Sequence, residues 1–299
     1  MENLFARIGI NIDFAFVLTF AALIWARMLA MVSTVPFVFG KPVPKMIRVG
    51  VSVALTAFLY PLLVPKVPVP ITNNLLELFL LFFKEIFFGL VIGFSSAMIF
   101  YGFEAAGRMI DNQRGVSLAR VLLPELGEQT SLSGQFLFLL AVVVYLSLGG
   151  HRLFLNAFIE SYQVLPVLSF PQSSNFLSLI DVLGTMTGQI LFIAAQISMP
   201  VLIAIFIVDI ILGVANRLAP QINVWEMGFN IRGYLGVLIL YLSLTVIAKQ
   251  MEHYTFASIP QVENVIQQLK NPAPIAPQEL KLEDQPKPLE VPVQSIPSQ

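Results

Sequence analysis

Apolar residues run along this chain in long blocks, separated by short polar connections rich in proline. Blocks of helical length cover roughly 14–39, 46–64, 75–103, 132–148, 176–213 and 233–248. About 20 apolar residues cross a bilayer as a helix, so the pattern predicts an all-α, polytopic membrane protein. The 176–213 block is too long for one straight span, and Pro200 removes a helical donor within it, so a kinked helix or a tight hairpin is expected there. Gly40-Lys41-Pro42-Val43-Pro44-Lys45 and Pro65-Lys66-Val67-Pro68-Val69-Pro70 stop one helix and stiffen the approach to the next, which makes long helical hairpins the expected unit. Lys41, Lys45 and Arg48 mark the first connection and only Lys66 the second, placing the first on the cytoplasmic side. Residues 1–13 lack a basic leader and a small-residue cleavage motif, so a retained first helix is expected. From Pro260 the chain turns into Pro, Gln, Glu and Lys without apolar period. The expected division is thus a hydrophobic helical domain over 1–255 and a disordered, Pro-rich tail over 260–299.

Composition sharpens this picture. Hydrophobic residues make up 57% of the chain and charged residues only 12%, against about 25% charged in soluble domains. Lipid or apolar partner surface must therefore cover much of the exterior. A net charge of -1 provides no basic field for nucleic acid. With no cysteine there is no disulfide, thiolate nucleophile or cysteine-held metal. His151 and His253 have no second ligand at metal-site spacing, the serines follow no nucleophile-elbow pattern, and no glycine-rich loop precedes a lysine at phosphate-binding spacing. Neither an enzyme active site nor a cofactor or metal site is expected.

The candidate functional residues are of two kinds. Arg27, Lys84, Glu85, Glu104 and Asp209 lie inside apolar helices and Arg217 near a helix end. Each charge placed in a membrane helix costs about 2.5–3.5 kcal/mol on insertion scales, so each needs a partner or a task. Lys84 and Glu85 are adjacent and point about 100° apart on a helix, so each is expected to pair with another helix or subunit. A proton or ion relay, hence a secondary transporter or ion channel, is the alternative reading. The second kind lies in the irregular stretch 111–131, where Gly115 and Gly127 could hinge a cluster of aliphatics. Such backbone survives at membrane depth only where protein buries it or a watery cavity wets it. A constriction that must open would have this character, and so would an amphipathic surface loop.

Several motifs in this order carry a family resemblance. Ala26-Arg27, Val35-Pro36, Val43-Pro44 and Lys84-Glu85-Ile86 with Gly89 and Gly93 come first. Gly107, Gln113, Gly115, Ser117, Ala119 and Pro124 follow, then Gly150-His151, Leu165-Pro166, the run from Leu212 to Gln221, and Met227-Gly228-Phe229. The ordered set resembles the FliR proteins of the flagellar export apparatus and their counterparts in type III secretion, the FliR/SctT family. That resemblance implies a subunit of a helical export-gate assembly in the bacterial inner membrane, within the flagellar basal body. The implied partners are FliP, FliQ and FlhB, with FlhA nearby, membrane lipid, and unfolded flagellar subunits in transit. It also implies that the central loop plugs the closed pore. The plug residues are then Gly115, Val116, Ser117, Leu118, Val121, Leu122, Leu123 and Pro124, with Leu118 and Val121 at positions where the family often carries aromatics. Aliphatic side chains there would exclude water and ions by dewetting a narrow passage.

Overall fold

The computed structural model describes residues 14–37, 43–64, 74–116, 131–170, 175–221 and 223–270, with the backbone alone described for 175–182 and 258–270. All regular elements among the described residues are α-helices: α1 (Phe14–Thr34), α2 (Lys45–Leu63), α3 (Leu75–Gln113), α4 (Leu132–Ser147), α5 (Gly150–Val164), α6 (Asn175–Leu218) and α7 (Val224–Lys270). The long helix α3 is the mast of the fold, packed against α1, α4, α6 and α7. Asn74 starts it by accepting the Leu76 N–H with its side chain. Its apolar residues point in every direction: Phe88, Ile92, Ala97, Phe100, Phe103, Ala106 and Ile110 are buried against the other helices, whereas Leu76, Phe79 and Phe83 near its start stay exposed. Phe37, Phe100, Tyr145 and Phe154 meet in one aromatic cluster, with Phe37 and Tyr145 centroids 4.7 Å apart.

The hydropathy blocks correspond to helices with two differences, and one alternative left open is decided. The block ending at 148 does not stop the helical chain there. Gly149, at φ 76°, turns it by 76° into α5. Helix α5 carries Arg152, Asn156 and Glu160 on an amphipathic frame, which hides it from a search for apolar blocks. The 176–213 block is one helix with Pro200 inside it rather than a hairpin. The last helix runs past Pro260 to Lys270, into the first residues of the expected tail; residues 271–299 lie outside the described ones.

Among the described residues, four helical segments are long and apolar enough to cross a membrane: α1, α2, Leu183–Leu218 and Val224–Ala257. The bent pair α4–α5 makes a fifth if it is one span. The chain is a polytopic helical membrane protein. Half of the α1 window is buried within the chain, against 17% for α2 and for the α7 window, so α1 lines the interior while α2 and α7 present apolar surface outward.

Candidate functional site

The approach of α1 to α3 builds the main polar site. Gly89 and Gly93, one turn apart on α3, remove the side chains that would keep α1 away. A Cβ on Gly89 would lie 2.4 Å from the Arg27 carbonyl oxygen and 2.8 Å from the Ala30 Cβ; one on Gly93 would lie 3.0 Å from the Thr34 Cβ. This contact brings Arg27 of α1 beside Glu85, one turn earlier on α3. Both side chains are fully buried. The guanidinium binds the carboxylate through two bonds, Nε to Oε2 at 2.5 Å and Nη2 to Oε1 at 3.0 Å. It also donates to the Leu165 carbonyl at 2.9 Å and to Ser161 Oγ at 3.4 Å, and lies 4.2 Å above the Tyr162 ring.

Lys84 completes the cluster from the other side. Its Nζ donates to the carbonyls of Pro166, Val167 and Ser169 at 2.8–3.0 Å. It also stands 2.8 Å from Glu85 Oε1, which corrects the expectation that adjacency keeps the two charges apart: the flexible four-carbon stem bends back across the turn. Two cations and one carboxylate share this site, and carbonyls at and beyond the C-terminus of α5 balance the excess charge. They lie just past the negative end of the helix dipole, which also favours a cation there. The cluster is a clamp tying α1 and α3 to the end of α5. Every charge in it is held by several bonds, which suits fixed geometry better than a moving ion.

The remaining expected residues are dispersed. Glu104 binds Arg108 one turn on, at 2.7 Å. Asp209 of α6 binds Arg232 of α7 at 2.6 Å beside a cavity of about 630 Å³ at the α6–α7 turn, lined by Asn216, Gln221, Asn223 and Trp225. Arg217 is exposed. Among the described residues, no group of three His, Asp or Glu could hold a metal ion.

Of the plug residues, Gly115 and Val116 are described; Ser117, Leu118, Val121, Leu122, Leu123 and Pro124 lie outside the described residues. Gly115 follows α3 at φ +88°, in the left-handed region that glycine alone enters freely. A Cβ there would lie 3.3 Å from the Phe229 ring. The chain returns at Ser131, the N-cap of α4, and both ends meet at Asp111. Sequence reasoning did not single out Asp111, Ser131 or Ser133. The available signal was a buriable acid on the last turn of α3 followed, after the irregular stretch, by Ser131-Leu132-Ser133-Gly134 at a helix start.

Among the described residues, a central helix packed against four others, apolar outward faces and an internal charge cluster held by backbone carbonyls define a multi-helix integral membrane protein. The model for bacterial export proteins, family 1, matches residues 18–257, and the chain belongs to that family. This agrees with the resemblance carried by the sequence motifs. Among its relatives, Yop proteins translocation protein T of Yersinia pestis is 34% identical over 196 residues, covering 65% of this chain and 74% of that protein. Flagellar biosynthetic protein FliR of Bacillus subtilis (strain 168) is 28% identical over 245 residues, covering 82% and 93%. Surface presentation of antigens protein SpaR of Shigella flexneri is 32% identical over 166 residues, covering 56% and 63%. The family is one of export-apparatus components and not of enzymes, so the chain is a membrane-embedded protein with a role in protein export.

Proposed function

We propose that this chain is a core subunit of a flagellar type III export gate in the bacterial inner membrane, at the flagellar basal body. It assembles with FliP and FliQ, beside FlhB and FlhA, into the channel that unfolded flagellar subunits cross. The flagellar relative above, matched over more of both chains than the Yersinia and Shigella relatives, supports the flagellar assignment. The apolar surface left outward by α2 and α7 supports assembly, since a lone chain would have to cover it with lipid alone.

The segment 111–131 helps close the pore. The observation that carries this reading is the neck: the chain leaves α3 through a positive-φ glycine and returns within hydrogen-bonding distance of α3, at Ser131. Between these points the sequence offers Val116, Leu118, Val121, Leu122 and Leu123 as an aliphatic seal, with Ser117 and Pro124 in the same stretch. Deleting residues 116–123 in cells that express the assembled gate raises ion leakage; unchanged leakage sinks the plug assignment. Co-expression with FliP and FliQ yields a stable complex where the chain alone aggregates, and a chain that purifies stably alone counts against the gate reading.

A further inference from the structure

The α6–α7 end of the protein carries polar chemistry that neither the clamp nor the neck uses. Asp209 and Arg232 are joined by one bond, from Arg232 Nε to Asp209 Oδ1 at 2.6 Å, and both side chains are about a third exposed. Among the described residues, nothing else bonds Asp209 Oδ2 or the two terminal nitrogens of Arg232. The pair lines the cavity of about 630 Å³ together with the amides of Asn216, Gln221 and Asn223. There is room to spare at Gly213 on its wall, where a Cβ would meet nothing within 4 Å. The sequence sets this pair at the edge of the bilayer. The run 233–248, between Arg232 and Lys249, holds no charged residue. At 1.5 Å per residue it spans about 24 Å, and the long stems of arginine and lysine extend that reach towards the roughly 30 Å of a hydrocarbon core. Arg232 thus stands at headgroup level, with Asp209 bonded to it. Tyr234, 81% exposed, stands at the same level, where interfacial aromatic side chains collect. From there exposed apolar side chains continue along both helices, Ile203 and Phe206 on α6 and Leu238 and Tyr241 on α7, a surface for acyl chains.

We propose that this cavity is a headgroup site for a phospholipid that carries both a phosphate and a primary ammonium, phosphatidylethanolamine. The Asp209–Arg232 pair is neutral overall, yet it offers an acceptor and several donors side by side. A lone anion would meet Asp209 and a lone cation Arg232, whereas a zwitterion satisfies both. The phosphate accepts from the Arg232 terminal nitrogens, the geometry that guanidinium suits best. The ammonium donates to Asp209. Phosphatidylcholine has no ammonium hydrogen to donate, and phosphatidylglycerol brings a negative charge with nothing to offer the carboxylate but hydroxyls. An extended peptide also donates and accepts, but the bilayer level and the adjoining acyl surface favour lipid.

The experiment takes the full chain from membranes with the subunits that accompany it. It is returned to lipid discs holding equal parts of phosphatidylethanolamine, phosphatidylcholine and phosphatidylglycerol with identical acyl chains. After brief re-extraction, the lipid held per chain is counted by mass spectrometry; binding, not export, is the readout. Wild type holds phosphatidylethanolamine roughly tenfold over either competitor, the factor for one charge-assisted hydrogen bond. Gly213→Leu fills the cavity, keeps both charges and favours the helix, and it loses the lipid. Arg232→Gln loses it as well. Asp209→Asn leaves a net positive site and exchanges the preference for phosphatidylglycerol. Equal retention of the three headgroups, or retention unchanged by Gly213→Leu, overturns the proposal. A wild-type preparation that holds no lipid, and that sheds an accompanying subunit when Gly213 becomes Leu, overturns it too and assigns the cavity to a peptide. The wild-type preference decides the matter by itself if a variant fails to fold.

Discussion

Replacing Glu85 by Gln removes one charge from the clamp and almost nothing from its volume. In the native cluster Arg27, Lys84 and Glu85 sum to one positive charge; in Glu85→Gln they sum to two, in a site where Arg27 and position 85 are fully buried. The amide cannot orient favourably. Oε2 faces Arg27 Nε, and Oε1 faces both Arg27 Nη2 and Lys84 Nζ, so either orientation sets an NH2 against a donor. Removing one partner of a buried pair costs about 3–5 kcal/mol, a large share of the roughly 5–15 kcal/mol that holds a typical domain folded. The assay is thermal unfolding of the purified complex, with protease resistance of the chain in membranes as a second readout. The double variant Arg27→Met with Glu85→Leu is the control. It leaves Lys84 on its three carbonyls, removes both charges of the pair and destabilises less than Glu85→Gln alone, by a coupling of about 0.5–3 kcal/mol. A Glu85→Gln protein that unfolds within about 1 kcal/mol of wild type refutes the clamp, because that is the range of an exposed pair.

Two further substitutions probe the packing and the dispersed charges. Gly107→Ala forces a Cβ into the backbone of Ser133 and Gly134, 2.3–2.4 Å away; with no flexible side chain to yield, the loss is about 1–3 kcal/mol, visible as a lower unfolding midpoint, and an unchanged midpoint contradicts the close contact. Asp209→Asn breaks a pair whose members are about a third exposed and shifts stability by less than about 1 kcal/mol, so export that continues at wild-type rate is expected and its abolition would revive a relay role for Asp209.

The elements were legible in proportion to how apolar they are. Blocks of uniform hydrophobicity mark α1, α2, α4 and α6 well, because burial or lipid dictates every position. Helix α5 escaped because it is amphipathic and short, and its polar residues Arg152, Asn156 and Glu160 break the block. The end of α7 was misplaced since composition changes at Pro260 while the helix continues to Lys270. At the clamp, Arg27, Lys84 and Glu85 were legible as charges too costly to be idle. Their other partners were not, because the carbonyls of Leu165, Pro166, Val167 and Ser169 are backbone groups that every residue possesses. The neck was half legible: Gly115 marked a turn, whereas Asp111 and the two serines resembled ordinary polar loop residues until α3 and α4 brought them together.

The central proposal, that the segment starting at the neck helps close the channel that exported protein crosses, has a direct test. The natural chain has no cysteine, so a single Val116→Cys gives one reactive thiol at the near end of the proposed plug. Phe58→Cys, at a position 70% exposed on α2, supplies the control. Both are placed in assembled gates together with an export substrate that carries one cysteine and a folded domain that stalls it in transit. The account predicts a disulfide between substrate and position 116 and none at position 58. A stalled substrate that links to position 58 and never to position 116 would contradict it.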